Sequence, residues 1–279
     1  MAIITLTTDF GYKDHFVGAI KGAIYSELPD AKIVDISNEI SPFNIPECAY
    51  IIKNSYKNFP KGSIHIIGVD AEPTPENEHL ILFLDDHYFI TANNGATSLI
   101  TSEMKADKVY KINIPMPIEC SFPVLDVFVK AACHLARGGT LDVVGKPFDA
   151  LKDIREFAPR IVEEGNGIVG SVIYIDNFGN VITNIPRHIF EAYRKGRDFV
   201  LHVRNKKITK IHHRYSDIIN FDIDKDKRNG PGDLLALFNS SDYIELAIYK
   251  SDLNTVGGAA TLIGLDYRDT ITVDFGIKN

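Results

Sequence analysis

Three acidic residues stand at points where a folded chain can use them. Asp9 follows the β-branched run at residues 3–7 and leads into Phe10-Gly11, with Asp14 just beyond. Asp70 follows the apolar run His65-Ile66-Ile67-Gly68-Val69. Asp176 opens the segment Asp176-Asn177-Phe178-Gly179-Asn180-Val181-Ile182-Thr183-Asn184. A carboxylate in such a place can accept a proton or take hydrogen bonds from ligand hydroxyls. In parallel sheets ligands sit beyond the carboxyl ends of the strands, and Asp9 and Asp70 both occupy that kind of position. Each segment also reads as ordinary turn chemistry, because Asp, Asn and Gly favour turns. On that reading Asp70 only caps the turn at residues 71–78.

Other chemistries find less support. There is no P-loop, no HExxH and no GxSxG elbow. The nine histidines are scattered, and the one adjacent pair, His212-His213, would face opposite ways on a strand. No metal site and no cofactor are therefore expected. The basic stretch Arg204-Asn205-Lys206-Lys207-Ile208-Thr209-Lys210 lacks aromatic interleaving, and the chain carries a net charge of −7. It reads as a solvated hairpin turning at Asn205-Lys206, and nucleic acid is not an expected partner. Cys48, Cys120 and Cys133 are odd in number and widely spaced, which suits reduced thiols packed as small hydrophobes. No basic n-region opens the chain, and no run approaches the roughly 20 apolar residues of a membrane span. A cytoplasmic protein with no membrane partner is the expectation.

The elements that must carry these residues follow from periodicity. Strands are expected at residues 3–7, 32–36 and 63–69, with helices at 16–25, 46–54 and 127–136. Residues 79–84 and 87–91 read as a hairpin through Asp85-Asp86. This alternation predicts an α/β fold, with an N-terminal mostly parallel α/β sandwich domain over residues 1–155. Beyond a lapse rich in Pro, Glu and Gly, short strands are expected at 168–175, 199–203, 208–212, 233–238, 243–248 and 270–274. With a short helix at 186–195, they predict a smaller C-terminal β-barrel-like domain over residues 166–279.

In order, four blocks are specific. They are Thr7-Thr8-Asp9-Phe10-Gly11 with Asp14, Val17-Gly18 and Lys21-Gly22; Val34-Asp35-Ile36-Ser37-Asn38-Glu39-Ile40-Ser41-Pro42-Phe43; the segment from Asp176 to Asn184; and Leu234-Leu235-Ala236-Leu237-Phe238-Asn239-Ser240-Ser241-Asp242-Tyr243-Ile244-Glu245-Leu246-Ala247. The set resembles the S-adenosylmethionine (SAM) hydroxide adenosyltransferase family, the adenosine-forming SAM hydrolases related to fluorinases and chlorinases. The resemblance implies an adenosyl ligand, SAM or adenosine, and a homotrimer in which SAM lies between the first domain of one subunit and the second domain of its neighbour. It implies that Asp9 holds the ribose hydroxyls, a pair that suits one bidentate carboxylate, and that Phe43 packs on the nucleoside. By the same resemblance Asp176 lies near the methionine ammonium, Asn180 reads adenine and Ser240 donates to the methionine carboxylate. Phe178 and Asn94 join the binding set with Asp14, Tyr215 supplies a second aromatic face, and the backbone near Ala259 meets adenine.

The catalytic stretches depart from the family pattern. The family's Asp-Arg-His set surrounds the attacking water. Asp70 stands at the Asp position, in Val69-Asp70-Ala71-Glu72-Pro73-Thr74-Pro75-Glu76-Asn77, but Asn77 is at the Arg position. Pro123, in Phe122-Pro123-Val124-Leu125-Asp126, is at the His position. A third family stretch becomes Ala92-Asn93-Asn94-Gly95. The expected activity is hydrolysis of SAM by water attack at C5′ with a departed catalytic set. Asp70 would hold the water, assisted by Asn77 and His79, with Glu76 or Asn94 as further candidates. The alternative is a module that binds SAM or adenosine without turnover.

Overall fold

Runs of β-branched residues that are buried on both faces form the centre of the first unit. The computed structural model describes residues 2–102, 104–154, 158–228 and 232–276. The chain divides into two compact units, residues 1–156 and 157–279. Arg155, where the sequence reading closes the first domain, lies outside the described residues. Among the described residues no helix is long and apolar enough to cross a membrane.

In the first unit, β1 (Ile3–Thr8), β2 (Lys32–Ser37), β3 (Ile64–Gly68) and β5 (His87–Ala92) are parallel, and β4 (His79–Leu84), β6 (Lys108–Ile112) and β7 (Gly145–Pro147) extend the sheet antiparallel. The order is β2-β1-β3-β5-β4-β6-β7. The β4–β5 hairpin turns through Asp85 and Asp86, at φ +51° and +61°, the left-handed pair that two-residue hairpins require. One face packs α1 (Phe16–Glu27) and α4 (Val129–Ala136) around Ile20, Ile24, Ile66 and Phe128. The other packs α2 (Ile45–Ser55) and α3 (Ala96–Ile100) around Ile52, Ile67, Leu80 and Phe89. Asn44 caps α2, its side chain accepting from the Glu47 N–H at 3.2 Å. The helix expected at 127–136 begins earlier, as a π-helical turn at Val124–Phe128 that runs into α4. A short α5 (Leu141–Val144) precedes β7.

The second unit is a nearly closed, mostly antiparallel sheet. It contains β8 (Arg160–Ile161), β9 (Gly167–Ile175), β10 (Val181–Pro186), β11 (Phe199–Val203), β12 (Lys206–Ile208), β13 (Ile211–His212), β14 (Leu234–Phe238), β15 (Tyr243–Ile248) and β16 (Thr270–Phe275). Helices α6 (Arg187–Arg194) and α7 (Ala259–Ile263) flank it. The core gathers Phe190, Leu201, Leu246, Ile271 and Val273. Two expectations are corrected here. The strand expected at 208–212 is split between β12 and β13. The hairpin turns at Arg204-Asn205 rather than Asn205-Lys206, because Val203 pairs with Lys206 and Arg204 takes φ +53°.

A buried polar chain crosses the first sheet. The Thr5 hydroxyl meets His65 Nδ1 at 2.7 Å, and His65 Nε2 meets His87 Nδ1 at 3.0 Å. His65 is fully buried and stacks on Phe89. Burial, reinforced by His87, pushes His65 down to about 3, and burial also lowers His87. The unfolded chain, with histidine near pH 6.5, then binds more protons than the folded one below that pH. Stability is therefore full above about pH 6.5 and declines as pH falls from there toward 3. The expected loss from His65 is about 2 kcal/mol at pH 5. Urea midpoints measured from pH 7.5 to 4.5 check this, and His65→Gln should flatten the slope.

Candidate active site

The carboxyl edge of the parallel core carries the first cluster. Thr8 at the end of β1 pairs in register with Gly68 at the end of β3, so Asp9 and Asp70 leave neighbouring strands side by side. The loop after β1 is fastened by buried Asn38. Its carbonyl accepts from the Gly11 N–H at 2.6 Å, its Oδ1 accepts from the Thr8 hydroxyl at 2.8 Å, and its Nδ2 donates to Tyr12 Oη at 3.0 Å. Tyr12 in turn donates to Asp35, which Lys21 also reaches at 2.6 Å. The turn is thus held before any ligand arrives.

Asp9 is half-buried, and its Oδ2 accepts from the Phe43 N–H at 2.9 Å. Burial raises its carboxyl above the usual range. The backbone N–H groups of Phe43 and Asp9 oppose that shift, and the negative charge of Asp70 adds to it. Phe43 sits at φ +61° and is 73% exposed. An aromatic face left in solvent beside a carboxylate with free lone pairs is a combination that can take a sugar diol and the flat group attached to it. Asp14 is exposed on the same loop.

Asp70 has φ +46°, which costs a non-glycine residue about 1–3 kcal/mol. Beyond the strand ladder, the carbonyls of residues 69–72 take side-chain donors. Asn94 Nδ2 donates to Val69 O at 2.8 Å and to Asp70 O at 3.3 Å. Asn77 Nδ2 donates to Asp70 O at 3.1 Å and Glu72 O at 2.8 Å. His79 Nε2 meets Ala71 O at 2.9 Å. A carbonyl only accepts, so that ring nitrogen carries the proton. Burial lowers the His79 imidazole, the Ala71 carbonyl partly opposing, and Phe128 packs edge-on to the ring. The sequence reading offered Asn77, His79 and Asn94 for water chemistry and binding; the structure engages their donor atoms on the backbone around Asp70.

The surroundings of this edge are apolar. Phe10, Phe16 and Phe122 form a ring cluster with centroids 5.2–5.6 Å apart. A Cβ at Gly68 would meet Val124 at 3.1 Å, Thr8 at 3.2 Å and Phe10 at 3.4 Å, so glycine there lets these side chains close over the strand end. Pro123 precedes the π-helical turn, and Val124 is buried within it.

The second unit carries the other cluster. Asp176 Oδ1 accepts from the N–H groups of Phe178 (2.8 Å) and Asn180 (2.9 Å), while its Oδ2 accepts from Asn180 Nδ2 at 2.9 Å. Three of its roughly four acceptor sites are spent inside the turn. Gly179, at φ +72°, lies against Gly258, and a Cβ on Gly258 would stand 2.6 Å from Gly179 Cα. The Ala260 N–H donates to Gly179 O at 2.9 Å, which brings buried Ala259 and the 176–180 turn together. Phe178 is 64% exposed. Ser240 is exposed in the β14–β15 turn, where Asn239 Oδ1 caps the N–H groups of Ser241 and Tyr243.

Glu245 lies in the fourth ordered block, residues 234–247, and the sequence assigns it no role. It is 4% exposed on β15 and accepts from Tyr215 Oη at 2.6 Å. Burial raises its carboxyl, the Tyr215 bond opposes, and the charge of Asp176 raises it further. The available signal was an acid inside the otherwise buried apolar strand Tyr243–Ile248.

The comparisons agree across both units. Residues 4–145 match the SAM hydroxide adenosyltransferase N-terminal domain, and residues 170–272 match the C-terminal domain. An (R)-S-adenosyl-L-methionine hydrolase of Methanocaldococcus jannaschii is 29% identical, covering 97% of this chain and 95% of its own. A fluorinase of Nocardia brasiliensis is 26% identical over 70% of this chain and 74% of its own. The crystal structure of a conserved protein from Thermotoga maritima, 25% identical, superposes with a TM-score of 0.82 over 98% of this chain and 100% of that one. With both domains matched in order, this chain belongs to the SAM hydroxide adenosyltransferase family.

Proposed function

We propose that the protein hydrolyses SAM to adenosine and L-methionine, acting as a homotrimer. One observation carries the reading: two carboxylates, Asp9 and Asp70, stand at the ends of adjacent parallel strands in a chain of this family, close enough for Asp70 to raise Asp9. The relatives named as SAM hydrolases support the reaction class. Asp9 takes the ribose hydroxyls and Phe43 covers the nucleoside. Asn180 and the backbone at Ala259 serve the adenine. Asp176 and Ser240 serve the methionine ammonium and carboxylate.

In the reaction a water oxygen forms a bond to C5′ opposite the sulfur, and the C5′–S bond breaks. Its electron pair returns to sulfur, so methionine leaves as a neutral thioether and needs no acid. The water gives one proton to the Asp70 carboxylate, which passes it to solvent. The apolar wall of Phe10, Phe122 and Val124 limits competing water at this edge. The same wall favours the second reading, a binding module without turnover, since it offers no polar partner where the family has its His.

The test is direct. Wild-type protein incubated with SAM should release adenosine and methionine in equal amounts, read by chromatography. Ligand binding with no adenosine after long incubation would replace the hydrolase reading with the binding module.

A further inference from the structure

The sequence offers His79 and Asn77 as helpers of Asp70 at the attacking water. Their contacts point elsewhere. A base must have a free lone pair at the reacting water; His79 spends its Nε2–H on Ala71 O at 2.9 Å, so only Nδ1 keeps a lone pair. The residue is 8% exposed, and Phe128 stands edge-on to its ring. The Asn77 amide uses its N–H groups on two carbonyls, while its Oδ1 is buried with no hydrogen-bond partner. Asn94 joins two jobs, holding Val69 O and Asp70 O with its Nδ2 while its Oδ1 accepts from the Ala96 N–H at 3.0 Å. That bond ties the Asp70 backbone to the start of α3.

We propose that Asn77, His79 and Asn94 are positioning residues that clamp the four successive carbonyls of residues 69–72 and thereby fix Asp70, at φ +46°, beside Asp9. The backbone of a catalytic loop is normally set by ladder or turn bonds between main-chain groups. Here three side chains on β4, the turn before it and the turn after β5 perform that task. A left-handed Asp survives only where its surroundings over-determine it, and two amides converging on its own carbonyl supply that constraint. Placement within a fraction of an ångström governs rate more than affinity, since misplacing a reacting group by about 1 Å can cost about 100-fold. The clamp therefore acts on turnover. This inference rests on Asp70 serving the hydrolysis proposed above.

His79→Gln separates the roles, because a glutamine amide can donate to Ala71 O but cannot shuttle a proton. The expected result is a kcat within about threefold of wild type, with an unchanged pH profile, for His79→Gln, and a kcat reduced at least about tenfold for His79→Leu. Asn94→Ser retains a short acceptor for the Ala96 N–H but loses the reach to the carbonyls. It should lower kcat about 10- to 100-fold with KM and the SAM-induced melting shift unchanged. Equal losses in His79→Gln and His79→Leu, or a missing pH limb in His79→Gln, would make His79 a proton carrier and overturn the proposal. So would a wild-type kcat in Asn94→Ser. Ring nitrogen NMR of wild type needs neither turnover nor a variant that folds. An Nε2 that keeps its proton from pH 8 to pH 5 upholds the clamp even if no adenosine is released. A neutral Nδ1–H form, with Nε2 unprotonated, overturns it whatever the activity.

Discussion

Asp70→Asn should slow adenosine release by about 100-fold or more, the range that one positioned proton acceptor contributes. The substitution keeps the size and one acceptor oxygen and removes only the charge. It should not disturb the loop, because the side chains that hold residues 69–72 bind main-chain carbonyls and not the Asp70 carboxylate. Asparagine also tolerates the left-handed backbone that Asp70 adopts. The melting shift produced by SAM should therefore persist. Single-turnover assays with thermal melts on the same preparation separate the outcomes. Unchanged release would reduce Asp70 to a turn residue, and a lost melting shift would mean the variant acts through binding instead.

Asp9 is expected to dominate affinity. Its Oδ2 holds the Phe43 N–H, so truncation to alanine would remove both a ligand contact and the anchor of the Phe43 turn. Asp9→Asn is the cleaner change, since its side-chain oxygen can still accept from Phe43 while the amide cannot accept two ribose hydroxyls. Hydrogen bonds to a charged group are worth about 1.5–3 kcal/mol, so SAM should bind roughly 10- to 150-fold more weakly. At a SAM concentration 100 times the wild-type Kd, linkage stabilises the protein by about 2.7 kcal/mol, and a 100-fold weaker variant keeps only about 0.4 kcal/mol. The melting shift should nearly vanish in Asp9→Asn and vanish in Asp9→Ala. The unliganded variant should melt at or above wild type at neutral pH. The raised carboxyl of Asp9 means the folded state favours its protonated form, so its charge works against folding as pH rises through that value. A full shift in Asp9→Asn would remove Asp9 from the ligand site.

Local sequence determined a good deal. The buried run at residues 64–68 and the β-branched run at residues 3–8 specify strands, because apolar stretches of that length between turn residues have few other ways to bury themselves. Asp85-Asp86 specifies the hairpin through its left-handed pair. The acids that follow β1 and β3 could be placed at a sheet edge from sequence alone, since strand direction and the parallel order imply it. The four motif blocks carried the family.

Tertiary structure decided how the side chains are used. Asn94 reaches Val69 across 25 positions, Tyr215 reaches Glu245 across 30, and Thr5 reaches His65 across 60. Periodicity states which face a residue occupies, but a hydrogen bond also needs the register between strands and the loop path to bring two atoms within about 3 Å. The sequence therefore offered Asn77, His79 and Asn94 as polar residues near Asp70, the acid expected to hold the water, with several roles open. The fold turned their donors onto four carbonyls, because a chain that leaves a buried strand end must satisfy its backbone, and these were the side chains the sheet brought there.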